Sequence, residues 1–201
     1  MVLESRSVQR GKRLKFCSEC SQSVALTIPE GDNRERFVCV SCETIHYQNP
    51  KIVAGCLLVW EEKVLLCKRS IEPRYGYWTL PAGFMENGES TMEGAAREAV
   101  EEANAYSDDL RLFGIFNLPR ISQVYIMFRG TLKDGICSVG EESLEVGLFR
   151  KDDIPWDDLA FPIVSAGLTR HYESLKSGNN AVGLADITGR PGAGFNVNWL
   201  E

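Results

Sequence analysis

The sequence predicts an α/β domain preceded by a small cysteine ribbon, and three observations carry that prediction. Two Cys-x2-Cys pairs open the chain, short β-rich runs bounded by turn residues follow, and stretches 91–103 and 161–176 space their apolar residues as helices do. The 201 residues allow one full core plus an appendage. The expected division is a zinc ribbon over 14–47, a main domain over 50–177 and an extended C-terminal arm over 178–201.

The ribbon comes first. Cys17-x2-Cys20 and Cys39-x2-Cys42 have the spacing of a four-thiolate site. Each pair on a tight turn aims two sulfurs at one tetrahedral Zn2+, leaving no open position for catalysis, so the ion is structural. Redox-active pairs, or a ribbon that has lost its metal, are the alternatives. The total of seven cysteines is odd and no signal peptide is visible, which speaks against a disulfide framework. Cys56, Cys67 and Cys137 read as small core residues in apolar strands. The basic run at 10–15 reads as a solvated tail. The expected location is cytoplasmic, or an organelle stroma or matrix if the chain is a trimmed precursor.

Charge narrows the class. Against 22 Lys and Arg stand 28 Asp and Glu, a net −6, which argues against a nucleic-acid scaffold and against anionic membranes as partners. No apolar run is long enough to span a bilayer.

The main domain then unfolds in order. Runs 53–59 and 63–68 flank the turn-like Trp60-Glu61-Glu62 and predict a hairpin. Residues 78–81 lead into a loop, with Pro81-Ala82-Gly83 ending the strand and Asn87-Gly88 making a tight turn. Runs 110–117, 123–131 and 144–149 are further strands, and 161–176 packs as the second helix. From Gly178 the chain is rich in Gly and Asn, and it reads as an arm of low core content.

Helix 91–103 is the informative one. Ser90 and Glu93 form a capping box, and Asn104 sits where a left-handed residue ends the helix. Met92, Ala95, Ala96, Ala99, Val100 and Ala103 make an apolar flank despite an unfavourable Gly94. Glu98, Glu101 and Glu102 converge on the neighbouring flank at i, i+3, i+4. Alone, that pattern equally fits a solvated acidic face. The loop before it favours a cation: Arg97 is placed to reach Glu89 and Glu93, and the carbonyl near Ala82 adds a hard oxygen of the kind Mg2+ prefers.

Gly83, five residues, Glu89, seven residues, Arg97-Glu98-Ala99-Val100-Glu101-Glu102 resembles the Nudix box, G-x5-E-x7-R-E-U-x-E-E-x-G-U. Asn104 stands where the pattern has glycine, and small Ala99 and Ala105 stand at apolar positions. Tyr47-Gln48-Asn49-Pro50, the run 64–69, the run 76–83 and Glu142-Ser143-Leu144-Glu145 extend the resemblance to zinc-ribbon Nudix proteins, a subgroup that includes the plant chloroplast FAD pyrophosphatase, also active on ADP-ribose. It covers roughly residues 14 to 176. The SQPWPFP-type motif of the NADH pyrophosphatases has no counterpart in Asn117-Leu118-Pro119-Arg120-Ile121-Ser122-Gln123-Val124-Tyr125.

The resemblance implies a Nudix fold, a mixed sheet between helices. It implies Mg2+ (or Mn2+) held by Glu98, Glu102, Glu101 and the Ala82 carbonyl, with Arg97 and Glu89 as support. The expected reaction is hydrolysis of the pyrophosphate of FAD, to FMN and AMP, or of ADP-ribose. NADH, a capped dinucleotide, or a non-catalytic sensor role are the alternatives. Glu142, among Glu141, Glu142 and Glu145, is the expected loop carboxylate able to act as base. Arg69, with Arg74, is placed to meet phosphates. Trp78, Phe84 and Tyr125, together with Tyr77, are candidates to stack on a base, although Trp78 also reads as core. Arg120 follows a strand and reads equally as substrate contact or solvent-exposed. The expected partner is a small dinucleotide, with a homodimer allowed.

Overall fold

The computed structural model describes residues 14–190, 192 and 194–200 and divides into two compact units, one ending at Pro50 and one starting at Lys51. Most of the basic run at 10–15 lies outside the described residues.

The first unit is a three-stranded antiparallel sheet of β1 (Val24–Thr27), β2 (Arg36–Cys39) and β3 (Ile45–His46). Cys17 and Cys20 precede β1, Cys39 ends β2 and Cys42 lies in the turn after it. Cys17 and Cys39 are buried, and Arg36 pairs with Asp32 at 2.8 Å.

The second unit is built on a nine-stranded mixed sheet. Its strands are β4 (Lys51–Trp60), β5 (Lys63–Arg69), β6 (Trp78–Thr79), β7 (Ala82–Phe84), β8 (Arg111–Leu118), β9 (Gln123–Thr131), β10 (Ser143–Phe149), β11 (Gly183–Arg190) and β12 (Gly194–Trp199). The order is β10-β5-β4-β9-β8-β11-β12, with β6 on β5 and β7 on β4. The pairings of β4 with β9 and of β8 with β11 are parallel, and the other pairings are antiparallel.

Both faces of the sheet are covered, which is why β4 and β5 read as nearly continuous apolar runs. On one face α1 (Thr91–Ala103) lays Ala95, Ala99 and Ala103 against Ala54, Cys56, Leu58, Leu65, Cys67 and Phe128. On the other, α2 (Pro162–Ser177) packs Ile163, Val164 and Leu168 against Leu57, Leu66, Phe116 and Met127. Cys56 and Cys67 are core residues, their thiols pushed up by burial, Cys56 to about 12.

Two expectations need correction. Ala82 and Gly83 do not end a strand; they begin β7, a separate strand on β4. The region after Gly178 is also no arm of low core content. β11 runs parallel to β8, pairing Gly183 with Gly114, and buries Ala185 and Ile187 in the α2-side core. Trp199 then packs edge-on against Phe116 at 5.7 Å. The Gly and Asn residues masked a strand pattern whose alternate positions, Gly183, Ala185 and Ile187, are buried.

Candidate functional site

The site grows from the start of α1. Ser90 Oγ accepts the Glu93 amide at 3.3 Å while Glu93 Oε2 accepts the Ser90 amide at 2.7 Å, closing the capping box. Asn104 ends the helix in the left-handed region at φ 46°, ψ 36°. Which face turns inward differs from expectation. Met92 is exposed, and the buried positions are Gly94, Ala95, Glu98, Ala99, Glu102 and Ala103. Small residues let α1 lie close on the sheet, and that closeness carries Glu98 and Glu102 under cover. Gly94 has a positive reason as well: a Cβ there would stand 2.6 Å from Glu89 Oε1.

Arg97 organises the loop. It grips Glu89 through Nη2–Oε1 at 2.9 Å and Nε–Oε2 at 3.0 Å, and it reaches Glu98 Oε1 at 2.9 Å, Glu101 Oε2 at 2.8 Å and the Phe84 carbonyl at 3.2 Å. The guanidinium, with the Glu86 amide, holds the Glu89 carboxyl at about 2. Glu93 is committed to the capping box, so the expected Arg97–Glu93 contact is replaced by contacts to Glu98 and Glu101. Glu101 is half-exposed and turned toward Arg97.

The floor is formed by β7. Cys56 N donates to Pro81 O at 2.9 Å and Met85 N to Ile52 O at 3.1 Å, so Pro81 and Met85 face β4. By strand alternation the backbone groups of Ala82 and Phe84 point the other way. Phe84 O accordingly meets Arg97, and the Ala82 amide stands beside the Glu102 carboxyl. Gly83 leaves the space the Glu98 carboxyl fills, since a Cβ would overlap it.

Glu98 and Glu102 are only 7% and 5% exposed. Burial above all, then the charge of Glu98, pushes Glu102 up to about 8; Glu142 adds to this and Arg69 opposes it. Glu98 is also raised, chiefly by burial. Among the described residues Glu102 Oε2 has no hydrogen-bond partner. An orphaned buried carboxylate oxygen carries an uncompensated desolvation cost, which a cation would offset. The donors are hard oxygens, so the residues fit Mg2+ or Mn2+.

The surroundings sort the remaining candidates. Arg69 lies over the Phe161 ring at 5.1 Å, and its charge acts on both Glu102 and Tyr125. Tyr125 and Ala82 line a small apolar pocket with Thr79, Leu80, Met127, Phe161, Ile163 and Val164. Phe84 is half-exposed with Lys51 Nζ 4.6 Å from its ring. Among the three late glutamates, the charge of Glu142 reaches both Glu98 and Glu102, while Glu145 pairs with Lys68 at 3.3 Å on the surface. Arg74 stacks on Tyr77 at 5.2 Å. Trp78 is not available for substrate stacking. It is 7% exposed, packed edge-on against Phe149 at 4.8 Å in the α2-side core.

Sequence reasoning missed Lys51, Phe161 and a clasp over the end of α1. There the amides of Ser138, Gly140 and Glu141 donate to the carbonyls of Ala103, Glu102 and Glu101. Gly140 was the only available signal.

In the first unit the sulfurs of Cys17, Cys20, Cys39 and Cys42 lie within 4.8 Å of one another. Their hydrogen-bonded separations of 3.3 to 3.6 Å approach the edge of about 3.8 Å that a tetrahedral zinc–thiolate centre requires. The amides of Cys42 and Ser41 point at Cys39 Sγ, and Thr44 lowers Cys42 to about 6, which favours thiolates there. The neighbouring sulfurs raise Cys20 to about 12, so its thiolate needs a cation among the four. The site fits a structural Zn2+.

Comparison with known proteins places these features in context. Residues 15–48 match the family model described as "Nudix N-terminal", a zinc ribbon, and residues 49–166 match the "NUDIX domain". A crystal structure of a NUDIX hydrolase from Nitrosomonas europaea is 52% identical, with TM-score 0.80 over 86% of this chain and 99% of that one. The NAD-capped RNA hydrolase NudC of Vibrio parahaemolyticus is 32% identical over 56% of this chain and 43% of its own length. The ADP-ribose pyrophosphatase of Methanocaldococcus jannaschii is 28% identical over 54% of this chain and 67% of its own. The chain thus spans less than half the length of that NudC relative.

Proposed function

Because the chain belongs to the Nudix family, whose domain it matches over residues 49–166, we propose that it hydrolyses the pyrophosphate of a small nucleoside diphosphate-linked compound, with ADP-ribose or FAD as the substrate. The observation that carries this is the buried Glu98–Glu102 pair with its unpartnered Glu102 oxygen. Support also comes from the similarity to the Methanocaldococcus jannaschii ADP-ribose pyrophosphatase.

Glu98, Glu102 and the Ala82 carbonyl would hold Mg2+ or Mn2+, with Glu101 joining from the rim. When bound, the ion neutralises pyrophosphate charge and makes a water more acidic. The protein's own part is positional. Arg97 and Glu89 fix the loop, so the Glu98 oxygens are set before substrate arrives. Arg69 faces the substrate's phosphates. Phe84 offers an exposed ring to a base, and the pocket beside Tyr125 takes an apolar part of the substrate. Glu142, the loop carboxylate whose charge reaches the pair, accepts the proton of the attacking water.

The test is incubation of the protein with Mg2+ and, separately, ADP-ribose, FAD, NADH and NAD-capped RNA, with products separated by chromatography. Release of AMP plus ribose 5-phosphate or FMN supports the reading. Cleavage of NADH or capped RNA alone would move the substrate to the NudC type. No cleavage of any of the four by metal-loaded protein would overturn it.

A further inference from the structure

The clasp at the end of α1 is built from a loop that also carries Glu142. A helix leaves its final carbonyls without internal donors. Here Ser138 N meets Ala103 O at 2.9 Å, Gly140 N meets Glu102 O at 3.1 Å and Glu141 N meets Glu101 O at 3.1 Å. The approach at Gly140 admits no side chain: a Cβ would overlap the Glu101 carbonyl oxygen and come within 2.6 Å of the Glu102 carbonyl carbon. Asn104 adds a fourth tie, donating from Nδ2 to Val139 O at 3.1 Å. On the far side Ser70 N, just after β5, donates to Glu142 O at 3.0 Å. The backbone at Glu142 is therefore fastened both to the helix bearing Glu98 and Glu102 and to the end of β5.

Asn104 is also this chain's departure from the box glycine. Glycine satisfies the left-handed conformation equally well. It has no side-chain donor, so the tie to Val139 belongs to the asparagine alone.

We propose that Asn104 and Gly140 are positioning residues, which act by holding Glu142 over the Glu98–Glu102 pair. This rests on the hydrolase reading and on the role given to Glu142. A capping role alone would affect stability and not turnover.

The experiment measures kcat and KM for whichever substrate is cleaved best. The variants are Asn104→Gly and Gly140→Ala, each alone and combined with Glu142→Gln, with thermal melts alongside. Asn104→Gly keeps the helix end, so its melting temperature stays near that of the parent. Loss of one exposed hydrogen bond lowers kcat about 2- to 10-fold with KM little changed. Gly140→Ala shifts the loop itself and lowers kcat further, up to about 100-fold. In the Glu142→Gln background both effects vanish, since nothing remains to be positioned. Equal losses with and without Glu142, a change confined to KM, or a fully active Gly140→Ala each overturn the proposal. If Glu142→Gln turns over normally while Glu102→Gln is dead, this inference fails and the hydrolase reading stands. If Glu102→Gln is fully active, the cation does not depend on the Glu98–Glu102 pair and this inference fails with that assignment; only a parent that cleaves none of the substrates overturns the hydrolase reading itself.

Discussion

Arg97 holds Glu89 by both carboxylate oxygens, 2.9 and 3.0 Å away, so a residue of the loop and a residue of α1 form one rigid unit. Lysine offers a point charge in place of this planar fork. Arg97→Lys should lower the denaturation midpoint modestly, since the pair is partly exposed to solvent. Chemical denaturation checks this. An unchanged midpoint would remove Arg97 from the support role.

Glu102→Gln separates chemistry from folding. The carboxyl sits buried with an oxygen unpartnered. The neutral amide should leave the metal-free melting temperature equal or higher, while turnover falls by about 100-fold or more. A variant that unfolds instead would make the residue structural.

Gly83→Ala forces the Glu98 carboxyl from the space it fills. Affinity for Mg2+ or Mn2+, read by calorimetry with a non-cleavable nucleotide analogue, should drop by about 10- to 100-fold. Affinity equal to the parent would show that Glu98 holds no cation.

The cysteine cluster predicts one zinc per chain by elemental analysis. Cys39→Ser should abolish that zinc and melt the ribbon, because the ion contributes folding energy to so small a sheet. Zinc retained in full by this variant would refute the four-sulfur site.

His171 is buried, and burial, reinforced by Arg129, lowers it to about 4 from an ordinary value of 6.5. Between those values the unfolded chain binds more protons than the folded one, so stability falls as pH drops from 6.5 toward 4. His171→Gln should flatten that acid limb in melts recorded from pH 4 to 7. An identical slope in both proteins would assign the acid sensitivity elsewhere.

Much of this was legible in the chain because local rules determine it. The capping box, the left-handed Asn104 and the bounds of α1 follow from residue type at fixed spacing, and the hairpin of β4 and β5 follows from apolar runs about a turn. What failed needed tertiary knowledge. The inward face of α1 depends on how close small residues let it come, and this put Glu98 and Glu102 inside and Met92 outside. Trp78 is core, as its strand position also suggested, and not a stacking surface, because β10 brings Phe149 against it. The clasp through Gly140 joins segments distant in sequence, a relationship that no periodicity encodes.

The parallel pairing of β8 with β11 has a consequence for synthesis. While the polypeptide emerges from the ribosome, β8 presents an open edge until the segment around Gly183 has been made. That interval is a window for mispairing with neighbouring nascent chains. The hairpin that shuts it is the last pairing made among the described strands, and trimming it would leave a correctly assembled α1 on a sticky, poorly soluble scaffold.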